Sequence, residues 1–370
     1  MKKYLIVTLT LLMVFSIAAC GNGGTPDNGS ADAPSDGPLK VGFIFIGSAA
    51  DGGFTQAHND GRLELERHFG ARVQTMVIED VDDQNKQAIR AAGENLIDAG
   101  CKVIFGCSFG YIDTMEELAD EYPDVKFLHF SGYKMNDTNF DNYFGAMEEP
   151  RYLAGIVAGM MTETNRLGYV AAYDFTEVLI GINAFALGAQ SVNPAVTVNV
   201  VYINSWYDPE KEKAAAEALL AQGCDVIAQH CDTPGPMIAA EAVGAFAIGY
   251  NLDKPESAPE AYLTAPIWNH GAYNIYAVQK ILDGTFVPES YYGNMRDGYI
   301  DLAPLTDLVP PEVAAKVNEV RADIINGSFA PFSGEIFFAD GTQLCEEGQT
   351  LTRGEIWSIL KVVRGVNATE

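Results

Sequence analysis

Residues 83–107 have the sequence DQNKQAIRAAGENLIDAGCKVIFGC, in which a helical pattern ends at a glycine and is followed by a short apolar strand. The same order returns in residues 208–231, DPEKEKAAAEALLAQGCDVIAQHC. The first cysteines of the two copies, Cys101 and Cys224, are 123 positions apart. A repeat of helix, glycine stop, strand and loop predicts two lobes of the same build.

Apolar strands and helices alternate along both copies of the repeat, and each repeat helix is expected to begin near an acidic cap, at Asp83 and at Asp208. The predicted strands lie near residues 39–46, 73–78, 103–105, 126–130, 168–172, 196–203, 226–228, 245–250 and 262–265. Further helices are predicted near residues 55–69, 152–162, 178–191, 210–222 and 236–243. Continuous apolar strands joined by helices predict an α/β protein with parallel sheets covered on both faces. Ligands of such sheets bind beyond the carboxyl ends of the strands, which predicts a cleft between the lobes.

Composition and charge exclude some classes of partner. The 370 residues carry 23 Lys plus Arg against 50 Asp plus Glu, a formal charge of −27. A surface this acidic repels phosphate backbones and anionic lipid headgroups, so we expect no nucleic acid and no general membrane adsorption. With 48% hydrophobic residues, the chain can build a large core.

The N-terminus has the pattern of an export signal. Lys2 and Lys3 precede an apolar stretch over residues 5–17, which is shorter than the ~20 residues that cross a bilayer. The stretch ends in Ile-Ala-Ala followed by Cys20, which resembles the lipobox of bacterial lipoproteins. The resemblance implies a lipidated Cys20 and an extracytoplasmic protein anchored by lipid to the bacterial cell membrane. An ordinary signal peptide with an incidental cysteine is the alternative.

The expected organisation divides the chain into five parts. They are a lipoprotein signal peptide (1–19), a flexible lipid-anchored tether (20–38), lobe 1 (39–146), lobe 2 (147–265), and a return to lobe 1 with C-terminal crossover segments (266–370). Hinges are expected near residues 144–147 and 265–268, where the chain passes between lobes. We also expect a monomer.

Five cysteines remain after Cys20, and they are interpreted as small buried apolar side chains. An odd number leaves at least one of them free or paired outside the chain. No CxxC motif occurs and His is scarce, so we expect no metal site and no cofactor.

The loops after the predicted strands carry aromatic residues among Asp, Asn, Ser and Thr. These loops contain DGGFTQ (51–56), SFGY (108–111), NSWYDP (204–209), HCDTP (230–234), YNLD (250–253) and the pair Trp268-Asn269. The first loop is neither a P-loop nor a dinucleotide-binding loop, because GKS, GKT and GxGxxG are all missing from it. Aromatic faces with polar neighbours suit a flat, uncharged ligand with polar edges. Sugars also fit this description.

The joint order of several motifs resembles the basic membrane lipoprotein family of ABC-transporter substrate-binding proteins, which includes purine-nucleoside receptors. The motifs are DGGFTQAHNDGR, CSFGY, SGYK, GINAFALGAQSVNP, NSWYDPEKE, QHCDTPGP, YLTAPIWN and ILDGTF, over about residues 40–286. The resemblance implies a two-lobed periplasmic-binding-protein type I fold with its ligand in the interlobe cleft, and an ABC permease as partner. The sequence looks most similar to a branch with a Gln-His-Thr-Asp-Ser-Pro motif, which implies a free purine base such as adenine.

Site residues follow from the same resemblance. Phe54 and Trp206 are implied as stacking faces, and the implied cleft-lining residues are Asp51, Thr55, Ser108, Phe109, His230, Asp232, Asn251 and Asp253. Their placement after strands adds Trp268 and Asn269. The sequence departs from the branch at Phe54 and His270, where Trp is usual, and at Cys231 and Thr233, where Thr and Ser are usual.

Other function classes are less well supported. None of the five His residues lies in a serine-hydrolase motif. Glu148 and Glu149 are adjacent and so should point apart, which does not support a glycosidase dyad. Glu149 is interpreted as a cap of the next helix, and Glu148 is either a second cap or a ligand-binding residue in the cleft. We therefore expect no enzyme, and the alternatives are purine-nucleoside binding with Asp253 on the ribose, sugar binding, or an extracellular nucleoside hydrolase.

Overall fold

The computed structural model describes residues 37–369. The signal peptide, Cys20 and nearly all of the tether lie outside the described residues, so the predictions about them stay predictions. Within residues 37–369, no helix is long and apolar enough to cross a membrane.

Strands and helices alternate through most of the described chain. The strands are β1 (Leu39–Phe45), β2 (Val73–Ile78), β3 (Val103–Cys107), β4 (Lys126–Phe130), β5 (Phe140–Gly145), β6 (Arg166–Ala171), β7 (Thr197–Tyr202), β8 (Val226–Gln229), β9 (Phe246–Ile248), β10 (Tyr262–Thr264), β11 (Pro266–Trp268), β12 (Ser290–Gly293), β13 (Ile300–Leu302), β14 (Ile336–Phe337), β15 (Gln343–Cys345) and β16 (Val366–Thr369). The α-helices are α1 (Phe54–Phe69), α2 (Lys86–Asp98), α3 (Ile112–Glu121), α4 (Glu148–Met161), α5 (Thr176–Val192), α6 (Pro209–Ala221), α7 (Gly235–Glu241), α8 (His270–Leu282), α9 (Pro311–Asn326) and α10 (Arg353–Ile356).

Two six-stranded sheets, both entirely parallel, form the cores of two lobes. The order in the first sheet is β12-β5-β4-β3-β1-β2, and in the second it is β10-β9-β8-β6-β7-β16. The first five strands of each lobe therefore occupy the same relative positions, 5-4-3-1-2 and 10-9-8-6-7. The internal repeat of the sequence falls on β3 and β8, which are equivalent strands. The α/β prediction with two similar lobes is confirmed.

Of the two helix caps predicted from the repeat, the structure confirms one. Asp208 caps α6, and its carboxylate accepts a hydrogen bond from the Lys211 amide at 3.1 Å. The prediction for Asp83 is wrong, because the cap of α2 is Asn85, whose side chain accepts from the Ala88 amide. Asp83 instead accepts a hydrogen bond from the Ser108 hydroxyl at 2.8 Å.

The chain joins the two sheets at three places within residues 37–369. It passes to the second sheet after β5, returns after β10, and ends on the second sheet after β13. The predicted hinge ranges lie at the first two passages. The predicted part 266–370 contributes β12 to the first sheet and β16 to the second, and its limits as a domain stay a prediction.

All five cysteines of the described chain are buried and free, namely Cys101, Cys107, Cys224, Cys231 and Cys345. Burial raises the pKa of these thiols where it removes water from the thiolate, most strongly for Cys107 and Cys231. Neutral buried thiols pack as small apolar groups. The interpretation of the cysteines as core residues is confirmed.

Candidate functional site

A cavity lies between the lobes, at the carboxyl ends of strands from both sheets. About 500 Å³ inside it and at its opening is free of protein atoms, but only about 50 Å³ of the enclosed space can take the centre of a water molecule. Its lining residues are Ile46, Phe54, Ser108, Phe109, Phe130, Ser131, Glu177, Trp206, His230, Asp232, Tyr250 and Trp268. The cavity occupies the position at which parallel α/β sheets bind ligands.

The wall on lobe 1 is aromatic. Phe54 opens α1, and its ring packs edge-on against Phe130, with 5.5 Å between centroids, and against His58, with 4.7 Å. Trp268 contacts Phe130 from the other direction at 5.3 Å. Because these rings are packed against each other, the face that Phe54 presents to the cavity is held in place.

The wall on lobe 2 is also aromatic but more polar. Trp206 packs against Tyr173 at 4.9 Å and lies 5.9 Å from the ring of His230. Tyr250 completes this wall, and the guanidinium of the buried Arg151 lies 3.8 Å from its ring centroid. The cation–π contact fixes Tyr250 from behind.

The start of α1 explains why the first loop contains an aspartate and two glycines. The Asp51 carboxylate accepts hydrogen bonds from the amides of Gly53, Thr55 and Gln56, each at 2.9 Å. Gly52 has φ of +86°, a left-handed conformation that favours glycine. The loop therefore positions Phe54 at the cavity, while the oxygens of Asp51 are occupied by the backbone of its own helix.

The two lobes touch at Gly53. A Cβ atom added there would lie 2.1 Å from the carbonyl oxygen of Asp232. A second contact comes from Lys254, whose ammonium donates to the Gln56 side chain at 3.3 Å. The cleft is therefore closed on this side, and at Gly53 the backbones of the two lobes are in direct contact.

Asp232 faces the cavity from the end of β8. Its carboxylate accepts a hydrogen bond from the Asn251 side-chain amide at 2.8 Å. Burial raises the pKa of Asp232 well above its ordinary value, and the nearby charges of Asp51 and Glu212 add to this effect. Asn251 is fully buried and adopts a left-handed backbone with φ of +69°. It therefore holds Asp232 rather than contacting the cavity itself.

His230 lies beside Asp232 and is almost fully buried. Burial lowers its pKa well below the ordinary value, and the charge of Arg151 lowers it further. The imidazole is neutral at physiological pH. A neutral ring can stack against a ligand or exchange a single hydrogen bond with it.

A carboxylate from lobe 2 reaches a hydroxyl of lobe 1 at the edge of the cavity. Ser131 donates a hydrogen bond to Glu177 at 3.2 Å, and Ser131 is one of the non-glycine residues with left-handed backbone, with φ of +67°. Burial raises the pKa of Glu177 to about 7, although the bond from Ser131 opposes that rise. This pair forms a second polar edge of the cavity besides Asp232.

Seven predicted site residues line the cavity, and the structure does not bring six others to it. The seven are Phe54, Ser108, Phe109, Trp206, His230, Asp232 and Trp268. The six are Asp51, Thr55, Glu148, Asn251, Asp253 and Asn269. Thr55 is buried, Asp253 is exposed and accepts from the Tyr262 hydroxyl, and Asn269 is exposed and donates to the Gly298 carbonyl.

The adjacent glutamates Glu148 and Glu149 point apart as predicted. Glu148 accepts from the Tyr292 hydroxyl at 3.0 Å, and Glu149 accepts from the Met295 amide at 2.9 Å. Glu149 lies in the first turn of α4, but its side chain does not cap that helix. Glu148 lies in a smaller chamber behind the cavity, which Glu177, His230 and Tyr250 separate from it.

Five lining residues are absent from the predicted site, namely Ile46, Phe130, Ser131, Glu177 and Tyr250. Glu177 lies in the first turn of α5, which follows β6 through the loop at residues 172–175, the equivalent of the DGGFTQ loop after β1. The signal was available, since the repeat makes β6 the counterpart of β1. Ser131 and Tyr250 belong to loops that the sequence had already placed at strand ends.

The chemistry of the lining indicates the type of ligand. Among the described residues that line the cavity there is no Lys or Arg, whereas Asp232 and Glu177 are both carboxylic. An anionic ligand would find no cationic side chain in this lining, and a neutral planar ligand with N–H or O–H donors would be favoured. No group of three His, Cys, Asp or Glu residues able to hold a metal ion occurs in residues 37–369.

Comparison with known proteins agrees with this geometry. Residues 39–330 match the profile of a family described as Bmp, "ABC transporter substrate-binding protein PnrA-like". The chain belongs to this family. It is therefore a substrate-binding protein of an ABC transporter, and such proteins work outside the cytoplasm with a membrane permease as partner. The resemblance found in the sequence motifs is confirmed.

Two curated relatives extend over most of the chain. A protein of Brucella abortus named "Purine-binding protein" is 39% identical over 311 residues, covering 84% of this chain and 88% of its own. A protein of Haloferax volcanii, provisionally named an ABC-transporter glucose-binding protein, is 34% identical over 336 residues, covering 90% and 84%. Among solved structures, a solute-binding protein of an ABC transporter from Conexibacter woesei has a TM-score of 0.65 at 20% identity, covering 79% of this chain and 98% of its own. The structural neighbour confirms the periplasmic-binding type of fold.

Proposed function

We propose that this substrate-binding protein captures a free purine base, with adenine as the type ligand, for uptake by its ABC permease. The observation that carries the proposal is the cavity itself, with aromatic walls on both lobes, two carboxylic groups from lobe 2, and no lysine or arginine among its described lining residues. A base stacked between Phe54 and Trp206 would direct its N–H groups toward Asp232 and Glu177. The relative named for purine binding supports this ligand class.

The base, rather than the nucleoside, is favoured by the position of Asp253. A ribose needs acceptors for its hydroxyl groups, and Asp253 is the candidate that the sequence offered. In the structure Asp253 is exposed, away from the cavity lining, and accepts from Tyr262 at 2.9 Å. Nucleoside binding remains the alternative that the experiment must separate.

Binding without turnover is the proposed activity. The carboxyl groups that face the cavity, Asp232 and Glu177, come from neighbouring loops of lobe 2, and the family and its structural neighbours are solute-binding proteins. The protein would act as a lipid-anchored monomer outside the cytoplasmic membrane, without a cofactor. Incubation with adenosine and guanosine should release no free base.

Isothermal titration of the ligand-free protein with adenine, guanine, adenosine and guanosine tests the proposal. We expect tight 1:1 binding of at least one base and weaker binding of its nucleoside. Mass spectrometry of the small molecule released on denaturation provides an independent result. Equal or tighter binding of the nucleosides would overturn the assignment to free bases.

Sugar binding is the second candidate, and it rests on the relative provisionally named for glucose. Trp206 and Trp268 could pack on a pyranose as well as on a purine, because the flat face of an indole can contact the apolar C–H face of a sugar. Titration with glucose in the same buffer separates the two candidates. Binding of glucose without any binding of purines would replace the proposed function by this one.

A further inference from the structure

Glu177 lines three spaces in and around the cleft. It lines the main cavity, and it also lines the smaller chamber behind the cavity and an outer groove with Phe109, Tyr133, Phe175 and Leu360 at the cleft opening. One of its oxygens accepts from Ser131 at 3.2 Å. Its other oxygen has no hydrogen-bond partner among residues 37–369. A half-buried carboxylate with one free oxygen at a ligand cavity is ready to accept a further hydrogen bond.

The backbone of Ser131 supports a binding role for this pair. Serine rarely adopts left-handed backbone, and φ of +67° costs energy that a glycine would not. The neighbouring Gly132 also has positive φ, so the turn after β4 is tightly bent. This bend places the Ser131 hydroxyl on Glu177 of the opposite lobe. Ser131 and Glu177 thus meet only when the lobes are closed.

We infer, on the basis of the proposed function, that Glu177 with Ser131 is the recognition edge that selects aminopurines. The free carboxylate oxygen of Glu177 accepts a hydrogen bond from the exocyclic amino group of the base, and Ser131 holds the carboxylate in position. Purines without an amino group leave this oxygen of the half-buried carboxylate without a donor. That unpaired charge is costly, so they bind more weakly.

The direction of the hydrogen bond predicts the pH dependence. An ionised Glu177 accepts from an amino group more strongly than a protonated one, and burial raises its pKa to about 7. Protons therefore compete with adenine, and the contribution of Glu177 to affinity is lost as the pH falls below 7. The other titratable or charged groups that line the same three spaces as Glu177 are His230, Asp232, Tyr250, Arg151, Glu148, Asp174, Tyr292 and Tyr133.

The test compares ligands and variants by isothermal titration. Wild-type protein should bind adenine more tightly than unsubstituted purine and N6,N6-dimethyladenine. Glu177→Leu should lose about 10- to 100-fold in adenine affinity, as expected for a charged hydrogen bond, and should bind unsubstituted purine more tightly than the wild type does, because the unpaired carboxylate is gone. Glu177→Gln, which keeps the shape of the side chain, should bind adenine with an affinity that no longer falls between pH 8 and pH 6 as far as that of the wild type does.

Glu148→Gln is the matched control. Glu148 is buried, and burial raises its pKa to about 7 as well, but it is bonded to Tyr292 outside the main cavity. This variant should keep the adenine affinity and pH profile of the wild type. An unchanged preference for adenine in Glu177→Leu, or an affinity that rises as the pH falls, would overturn the inference even if purine binding itself is established. Failure of every purine to bind would overturn the proposed function instead.

Discussion

Gly53 of lobe 1 meets the backbone of Asp232 of lobe 2 so closely that a methyl group at position 53 would lie 2.1 Å from the Asp232 carbonyl oxygen. Phe54 and Asp232, which line the cavity from opposite lobes, are therefore brought together by a contact that only glycine permits. The glycine pair after β1 thus serves closure as well as the start of α1.

Replacing Gly53 by alanine should hinder closure. The added methyl group must push the lobes apart at Asp232, and a ligand that touches both lobes then loses part of its contacts. We expect ligand affinity to fall at least about tenfold, a cost of roughly 1.4 kcal/mol. Titration measures the affinity, and small-angle scattering should show a smaller radius of gyration on ligand binding in the wild type but less change in Gly53→Ala.

Gly354→Ala is the control for this experiment, because a Cβ atom there would meet nothing within 4 Å. It should bind and close as the wild type does. A Gly53→Ala variant with wild-type affinity and the same ligand-induced compaction would show that the contact at Asp232 is not needed for closure.

The stacking residues should each contribute to affinity. Phe54→Ala and Trp206→Ala remove one aromatic wall each, and base stacking on an aromatic side chain contributes about 1–3 kcal/mol. We expect losses of about 5-fold to 150-fold in purine affinity by titration. Tyr207→Ala removes an exposed ring next to Trp206 that does not line the cavity, and it should have little effect. If Phe54→Ala and Trp206→Ala bound purines as tightly as the wild type does, the two rings would be excluded from the binding site.

The sequence predicted the strand–helix order well where the repeat is strong. The two copies, at β3 and β8, lie at equivalent places in their sheets. They could be predicted because apolar patterns and glycine stops are local signals, which are visible in a short stretch of sequence. The sequence did not predict β5, β12 or β16. Strand β5, FDNYFG, has few β-branched residues, and β12 and β16 depend on pairing with distant strands.

The site was also predicted only in part, because local patterns mark the ends of strands but not the contacts between distant residues. Aromatic residues after strands mark the cavity walls, so Phe54 and Trp206 were found. Asp51 and Asn251 have the chemistry of ligand-binding residues, but their polar groups bond to the α1 backbone and to Asp232. Glu177 was missed because it immediately precedes the helix predicted near residues 178–191, and its position at the cavity depends on how the lobes meet.

Attachment to the membrane should depend on Cys20. The motif that resembles a lipobox predicts acylation of this residue, and several acyl chains anchor a protein stably where one chain does not. Cys20→Ala should move the protein from the membrane fraction to the soluble fraction without changing ligand affinity. Membrane retention of the variant, detected by fractionation and immunoblotting, would contradict the predicted lipid anchor.

Stability should decrease as the pH rises past the pKa of Glu148. Burial raises this pKa from 4.5 to about 7, so the folded state holds a proton that the unfolded state has released. The folded protein is therefore favoured at low pH, and this contribution is lost as the pH rises from about 4.5 through 7. Glu148→Gln should be more stable than the wild type at pH 8 by on the order of 1–3 kcal/mol in urea unfolding, with little difference near pH 5.

Glu163→Gln is the control for the Glu148 experiment, because Glu163 is exposed. Its unfolding free energy should follow that of the wild type at both pH values. A Glu148→Gln variant that is less stable than the wild type at pH 8 would show that the hydrogen bond from Tyr292 to an ionised carboxylate outweighs the cost of burial.

A buried histidine pair behind the cavity should make the protein sensitive to acid. The rings of His58 and His270 stack with centroids 3.6 Å apart, and both side chains are almost fully buried. Burial lowers the pKa of His270 to about 3 and that of His58 well below its ordinary value, with the His270 charge adding to the effect on His58. Both rings are neutral when folded, whereas the unfolded chain takes up protons below about pH 6.5.

Stability is therefore lost as the pH falls below 6.5. Between pH 7 and pH 5 each histidine that stays neutral in the folded protein contributes a loss of about 2 kcal/mol. His58→Phe keeps a flat ring and removes one titrating group, so the difference in unfolding free energy between pH 7 and pH 5 should shrink by about this amount. His68→Gln, at an exposed position, should leave the difference unchanged, and an equal acid loss in His58→Phe and wild type would show that this pair does not carry the pH sensitivity.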